Sequence, residues 1–242
     1  MADVAPTPEP VPTPGPARGG VQFIPRPGSW REGRPPPWAA VPPEHRHLTM
    51  DGIRAALAES SRALPPRLSP LEGTGVRASA VLAPLYEQDG QVYVVLTRRA
   101  QHLRSHRGEV SFPGGGQDAD ETLLETALRE ADEETAMDPS TVEIIGELDH
   151  LETVMSRSFI VPYVGVLPGR PDLTANPDEV ELILHVPLDE LLLDGVYREE
   201  LWGLAPLDRP LIFFEIVGDT IWGATAAMLR NLLAVATGTP WR

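Results

Sequence analysis

The chain has 242 residues, of which 42% are hydrophobic, and its formal charge at pH 7 is −15. This length suits one domain with an appendage, and the negative charge argues against general binding to nucleic-acid backbones or anionic membranes. Cysteine is absent, which excludes disulfides and thiolate metal sites. Neither a secretion-signal pattern nor an apolar run of membrane-spanning length is present, so we expect a cytoplasmic protein.

Residues 1–45 are predicted to form a proline-rich, disordered leader, and residues 46–242 the folded domain. Nearly half of the 27 prolines lie in this leader, which therefore lacks backbone donors and apolar periodicity. It is either a docking tail for an unidentified partner or a solvated extension. Phe23, Ile24, Trp30 and Trp38 offer a different outcome, because these large apolar side chains could pack back onto the domain.

The remaining elements follow from apolar periodicity and turn residues. Residues 49–64 have the pattern of a short amphipathic helix. Residues 76–85 and 92–96 are rich in β-branched side chains and flank a hairpin turn at 87–90. Further strands are predicted at residues 142–148, 159–167, 182–186 and 211–217, a short helix after Pro187, and a final helix from residue 221 that stops at Gly238.

An acidic helix follows three glycines at 114–116. Leu124, Ala127, Leu128 and Ala131 recur with helical spacing and form an apolar stripe that can seat the helix on a core. The carboxylates of Glu130, Glu133 and Glu134 share another face. They repel one another, and a divalent cation such as Mg²⁺ or Mn²⁺ would offset that repulsion because it prefers hard oxygen ligands. The alternative is a solvated acidic face.

The glycine turn and the spacing both favour the metal site. Glycines let backbone groups approach a ligand without an intervening side chain. Gly115 is followed after five residues by Glu121, after seven more by Arg129 and Glu130, and after two more by Glu133 and Glu134. This pattern resembles the Nudix box, the signature of a family of metal-dependent hydrolases that cleave nucleoside diphosphates linked to another moiety.

The resemblance assigns roles to these residues. Glu130 and Glu134 would be the main metal ligands, with Glu133 as a further ligand and a backbone carbonyl of the turn, at Gly115, completing the set. Arg129 would pair with Glu121 and hold the turn in place. Two positions depart from the family pattern: Ala131 replaces a larger aliphatic residue, and Ala136 replaces a glycine, which is awkward if the helix end requires a positive φ.

A basic loop precedes the glycine turn. Five arginine or histidine side chains lie between Arg98 and His106 in a chain that is otherwise strongly acidic, as a polyanionic ligand beside an acidic metal site would require. The alternative is that these arginines only neutralise the acidic helix. Thr97, Arg99, Ala100, Arg104, Gly108 and the Phe-Pro-Gly-Gly run at 112–115 resemble the additional signature of the coenzyme A pyrophosphatase branch. The resemblance implies that Arg99 and Arg104 contact the phosphates of the substrate.

Later in the chain the acidic turn at 176–181 contains Glu179, which by the same resemblance could join the metal cluster or act as general base beside Glu133 or Glu134. Ordinary turn chemistry also explains an acidic residue here. His150 and Trp222 are interpreted as an ordinary loop residue and a core aromatic.

Together these patterns imply the Nudix α/β/α sandwich with a mixed sheet, and hydrolysis of the pyrophosphate of coenzyme A or its derivatives with Mg²⁺ or Mn²⁺. A Nudix hydrolase of ADP-ribose, NADH or a nucleoside triphosphate, and a non-catalytic nucleotide sensor of the same fold, remain open. No nucleic-acid or membrane partner is expected, and a homodimer is left open.

Overall fold

The computed structural model describes residues 17–63, 74–153, 158–204 and 208–240. In chain order the strands within these ranges are β1 Trp30–Glu32, β2 Arg77–Gln88, β3 Gln91–Arg99, β4 Val110–Ser111, β5 Gly114–Gly116, β6 Glu143–Glu147, β7 Leu151–Thr153, β8 Ser158–Val166, β9 Val180–Pro187, β10 Tyr197–Trp202, β11 Arg209–Ile216 and β12 Asp219–Trp222. The α-helices are α1 Met50–Ala63, α2 Leu123–Thr135, α3 Leu188–Leu191 and α4 Gly223–Ala236.

A mixed sheet forms the centre of the molecule. Its strands run in the order β4-β3-β2-β8-β6, with β5, β7 and β9 pairing with β2, β8 and β3. The pairing of β2 with β8 is parallel and the other pairings are antiparallel. The predicted hairpin joins β2 to β3 through Asp89 and Gly90, which both adopt positive φ (53° and 75°), as the tightest hairpin turns require.

The two faces of β2 divide the core in two, because successive side chains of a strand point to opposite sides. Ala80, Leu82 and Tyr86 pack in a small cluster beneath α2. Val81, Ala83 and Leu85 face a larger cluster that includes residues of α1, α4 and the second sheet. The central sheet thus lies between helices on both sides, as the predicted α/β/α arrangement with a mixed sheet requires.

A second, antiparallel sheet has the order β1-β10-β11-β12. Its outermost strand comes from the predicted leader, in which Trp30 pairs with Trp202. Sequence analysis missed β10, and it extended the last helix over Ile221 and Trp222, which instead end β12. The chain turns between β12 and α4 at Gly223, where φ is 65°.

The prediction of a disordered leader up to residue 45 is corrected for residues 17–45. Pro36 and Pro37 begin a 3₁₀ turn that inserts Trp38 into the core, where its side chain is 1% exposed. Trp38 lies against Tyr197 and Phe214, with ring centroids 5.5 and 6.2 Å away. Burial of a large aromatic side chain outweighs the local preference of the prolines for extended structure. Residues 1–16, which contain the alternating prolines, lie outside the described residues.

No helix among the described residues is both long and apolar enough to cross a membrane.

Candidate metal and substrate site

Helix α2 begins with a complete capping box. The hydroxyl of Thr122 accepts a hydrogen bond from the backbone N–H of Glu125, and the Glu125 carboxylate accepts one from the backbone N–H of Thr122. Ala127 and Ala131 are fully buried against the sheet, whereas Leu124 of the predicted stripe is only half-buried. The cap and this small-residue seam fix the rotation of the helix, and its acidic face therefore meets the glycine turn.

The glycine turn forms β5, which pairs with β2 so that Gly115 lies opposite Ala80. A Cβ atom added to Gly115 would lie 2.4 Å from the carboxylate carbon of Glu130. A Cβ on Gly114, where φ is +158°, would lie 2.5 Å from the carbonyl oxygen of Ala80. A side chain at position 114 would therefore collide with the backbone of β2, and one at position 115 would displace the Glu130 carboxylate from the turn.

Glu134 is a buried carboxylate with one unsatisfied oxygen. Its side chain is 3% exposed, and Oε2 has no hydrogen-bond partner within the part of the chain that the structure describes. Burial raises the pKa of Glu134 to about 8, and the carboxylates of Glu130 and Glu179 act in the same direction. The nearby Arg99 and a backbone hydrogen bond from Gly114 oppose the shift. A buried acid with one unsatisfied oxygen favours a bound cation or a bound proton.

Glu130 and Glu133 differ from Glu134 in their surroundings. Burial also raises the pKa of Glu130, against the opposing effect of Arg129, whose Nη1 lies 3.0 Å from its carboxylate. The Glu133 side chain is 58% exposed and its Oε2 accepts a hydrogen bond from Arg129 at 2.9 Å.

The donor chemistry fits a divalent cation, although the full ligand set is not assembled. Across residues 17–63, 74–153, 158–204 and 208–240, no three carboxylate or imidazole side chains already converge as metal ligands. What the structure brings together is Glu130, the unsatisfied oxygen of Glu134 and the backbone of Gly115, all hard oxygen donors of the kind that Mg²⁺ and Mn²⁺ prefer. Glu133 would have to leave Arg129 to join them.

Arg129 and Glu121 form the predicted ion pair. The guanidinium donates from Nε and Nη2 to the two Glu121 oxygens at 2.9 and 2.8 Å. Glu121 also accepts from the backbone N–H of Asp118 and from the hydroxyl of Thr126. Chiefly because of Arg129, the pKa of Glu121 falls to about 2. This bidentate pair ties the loop after the glycine turn to the first half of α2.

A cavity of about 380 Å³ adjoins the glycine turn. Residues of the basic loop, the sheet and the start of α4 line it: Val81, Arg99, His106, Glu109, Val110, Ser111, Phe112, Gly114, Thr153, Ile160, Trp222, Gly223, Ala224, Thr225 and Met228. Arg99 thus lines the cavity and also acts electrostatically on Glu134. Arg104 is exposed and does not line the cavity.

Sequence analysis missed much of this lining. Glu109 was assigned no role, Met228 was interpreted only as an apolar residue of the last helix, and Trp222 was interpreted as a core residue. Only the basic character of the loop pointed to His106. The lining comes from segments more than 100 positions apart, and no local pattern reports such a meeting.

Glu179 lies in the turn that precedes β9 and is exposed. Its backbone carbonyl accepts a hydrogen bond from the N–H of Ala100 at 2.8 Å, so the acidic turn is tied to the basic loop. The Glu179 carboxylate is close enough to raise the pKa of both Glu130 and Glu134. His150 instead lies against Phe159 and hydrogen-bonds to Glu147.

An α/β fold in which a glycine turn and one acidic helix place paired carboxylates beside a cavity defines a class of hydrolases. The family model of the NUDIX domain matches residues 76–205, a range that contains the turn, α2 and the basic loop. The chain therefore belongs to the Nudix family of hydrolases, which act on nucleoside diphosphate derivatives.

Curated relatives agree with this assignment. An uncharacterized Nudix hydrolase NudL from Escherichia coli (strain SMS-3-5 / SECEC) is 37% identical over 192 residues, which cover 78% of this chain and 95% of the relative. A NudL protein from Shigella flexneri is 36% identical over 200 residues, covering 81% and 100%. Among solved structures, a MutT/nudix family protein from Enterococcus faecalis is 17% identical with a TM-score of 0.45, covering 75% of this chain and 67% of that one.

Proposed function

We propose that this protein hydrolyses the diphosphate of coenzyme A or its derivatives, giving 4′-phosphopantetheine and adenosine 3′,5′-bisphosphate. The observation that carries the proposal is the position of Arg99, which lines the cavity and acts electrostatically on Glu134. A guanidinium binds phosphate oxygens through two parallel donors, so a phosphorylated substrate in the cavity would meet a cation beside the acidic pair. The likeness of the loop at 97–115 to the coenzyme A branch supports this choice of substrate.

Glu130 and Glu134 would hold Mg²⁺ or Mn²⁺, with Glu133 and the carbonyl of Gly115 as further ligands. Bound there, the cation would neutralise charge on the diphosphate and lower the pKa of an attacking water. The ion pair between Arg129 and Glu121 holds the loop after the glycine turn against α2, and Nη2 of Arg129 also donates to the carbonyl oxygen of Gly116 in the turn. The relative position of the glycine turn and α2 determines how precisely the metal-binding groups are placed.

Arg99 would bind and orient the phosphate nearest the cavity. The oxygen of water attacks one phosphorus of the diphosphate, and the bond from that phosphorus to the bridging oxygen breaks. Glu179 is exposed beside the pair, so we assign it as the group that takes the proton from water, with Glu133 and Glu134 as the alternative bases. No side chain needs to form a covalent intermediate, because water itself is the nucleophile.

The first experiment compares substrates. Purified protein is incubated with Mg²⁺ or Mn²⁺ and with coenzyme A, ADP-ribose, NADH or a nucleoside triphosphate, and products are identified by mass. We expect phosphopantetheine and adenosine 3′,5′-bisphosphate to form fastest. If another substrate is cleaved preferentially, the protein is a Nudix hydrolase with a specificity other than coenzyme A. If no substrate is cleaved, the nucleotide-sensor alternative is favoured.

Variants then test the residues. Glu134→Gln should lower kcat/KM by at least about 100-fold, whereas Asp132→Asn, an exposed change on the same helix, should not. Arg99→Met should raise KM for coenzyme A about tenfold or more, the usual worth of a charge-assisted hydrogen bond. Arg104→Met is the matched comparison and should change KM for coenzyme A less. An increase in KM equal to that of Arg99→Met would support the sequence prediction that both arginines contact phosphate.

A further inference from the structure

Asp219, the first residue of β12, is a buried carboxylate that joins three segments of the chain. Its side chain is 4% exposed. Nη1 of Arg98, at the end of β3, donates to both of its oxygens at 3.1 and 3.0 Å. Nε2 of Gln22, in the N-terminal segment, donates to Oδ1 at 2.9 Å. A buried charge is tolerated only with such partners, so these contacts are strongly coupled.

The first of these segments is β3, in which Arg98 is followed directly by Arg99. The register of β3 with β9 shifts between Arg98 and Arg99, and a bulge of this kind redirects side chains at the end of a strand. Arg98 contacts Asp219, and its neighbour lines the cavity. The backbone of Arg99 is held on its other side by Glu109 and Gly108, through hydrogen bonds of 2.9 and 3.0 Å. The anchor on Arg98 therefore limits the movement of the guanidinium that follows it.

The second segment leads to Trp222. β12 runs from Asp219 to Trp222, whose side chain lines the same cavity and stacks on Phe213 with centroids 6.5 Å apart. Gln22 also accepts a hydrogen bond from the backbone N–H of Thr220 at 3.2 Å. Arg99 and Trp222, which line the cavity, are thus both linked to Asp219, through Arg98 and through β12. Gln22 of the N-terminal segment holds the Asp219 carboxylate in place.

We propose that Asp219, oriented by Gln22, is a positioning residue that holds Arg99 and Trp222 at the cavity wall and so sets substrate affinity. Asp219 hydrogen-bonds to Arg98 and Gln22 rather than to Glu130 or Glu134, so we expect its effect to fall on KM. The proposal rests on the function proposed above, because it assigns the cavity to substrate. Gln22 lies outside the region that the Nudix family model matches, so this control of affinity would come from a segment outside that region.

The test compares Asp219→Asn and Gln22→Ala with Glu200→Gln. Glu200 is the matched control, since it is also a buried carboxylate of the second sheet, 2% exposed, and it is also held by the N-terminal segment, through Arg26. It does not line the cavity. All three variants should melt at lower temperature. Only the first two should raise KM for coenzyme A, about tenfold for Asp219→Asn, with kcat within about threefold of the wild type.

A double-mutant cycle with Arg98→Met separates positioning from direct contact. If Asp219 acts through Arg98, the double variant should be no worse in KM than the more affected single variant. Additive effects on KM would overturn the proposal, because Arg98 would then act on substrate by itself. An unchanged KM in folded Asp219→Asn would also overturn it. If Asp219→Asn does not fold, Gln22→Ala decides in the same way.

Failure of the proposed function gives a different result. If the wild type prefers ADP-ribose to coenzyme A, the coenzyme A assignment fails, and the same KM comparison is made with ADP-ribose. If the wild type cleaves neither, the dissociation constant for coenzyme A, measured by calorimetry with Mg²⁺, replaces KM in the comparison of the same variants. Failure of the positioning role is an unchanged affinity in Gln22→Ala and Asp219→Asn for whichever compound the wild type binds.

Discussion

Glu134 illustrates how one residue can reduce stability in order to prepare a site. A carboxylate with an unsatisfied oxygen in a buried position is costly when it is charged, and its pKa of about 8 means that the metal-free protein avoids the cost by keeping a proton. A cation bound at Glu130 and Glu134 would compete with that proton. Metal affinity should therefore increase as pH rises toward 8.

The same residue makes a prediction about stability. The pKa is raised from 4.5 to about 8 on folding, so the folded state binds the proton more tightly than the unfolded state. The stability associated with this group is then complete below pH 4.5 and is lost as pH rises through 8. In metal-free buffer the wild type should lose about 3 kcal/mol relative to Glu134→Gln between about pH 5 and about pH 7.5.

Urea unfolding of both proteins in the presence of EDTA measures this difference, because Gln resembles the protonated carboxyl and does not titrate. Added Mg²⁺ should then stabilise the wild type more than the variant. A wild-type curve parallel to that of Glu134→Gln across this range would contradict the buried, protonated state.

At the scale of secondary-structure elements, the backbone at the end of α2 is strained. The sequence analysis expected this strain if the helix end requires a positive φ, because Ala136 replaces a glycine there. Ala136 caps the helix with φ 56° and ψ 32°, the left-handed region where a Cβ costs about 1 kcal/mol or more. The helix must end there because Met137, the next residue, is buried in the cluster beneath α2. Burial of Met137 thus compensates for an unfavourable backbone conformation one residue earlier.

Ala136→Gly should therefore stabilise the protein by about 0.5–1 kcal/mol. Ala58→Gly is the matched control, because Ala58 is exposed inside α1, where glycine costs about 1 kcal/mol. The same substitution should thus change the free energy of unfolding in opposite directions at the two positions, as measured by denaturant titration. Destabilisation by Ala136→Gly would mean that the alanine methyl makes a contact worth more than the backbone strain.

Elements with local signals were predictable from sequence, and elements defined by distant partners were not. α2 has its own cap and an apolar seam, and the β2–β3 hairpin has its Asp-Gly turn, so both were predicted, although β2 and β3 each continue three residues beyond their predicted ends. β1 has three residues, all exposed, and exists because β10 lies beside it. Within the site, the contact between Arg129 and Glu121 was implied by the resemblance to the Nudix box, whereas Trp222 reaches the cavity through the pairing of β11 with β12.

At the scale of the whole molecule, the segment that was predicted as a leader contributes a large side chain, that of Trp38, to the hydrophobic core. Trp38→Ala should destabilise the protein by about 3–5 kcal/mol, since it would leave a cavity beside Tyr197 and Phe214. Trp30→Ala changes the same residue type in the same segment, but its side chain is 44% exposed, and we expect a loss of about 1 kcal/mol or less. Differential scanning calorimetry gives both values, and equal effects would contradict the role of Trp38 as a core residue.

The pairing of the N-terminal segment with β10 also has a consequence for biosynthesis. The ion pair between Arg26, which precedes β1, and Glu200 of β10 joins residues 174 positions apart, so β10 leaves the ribosome long after the N-terminal segment does. At 5–20 residues per second the delay is roughly 9–35 seconds. Throughout this interval the indole of Trp38 and the edge of β1 are available to chaperones or to neighbouring nascent chains, and folding of the domain is completed from its C-terminal half.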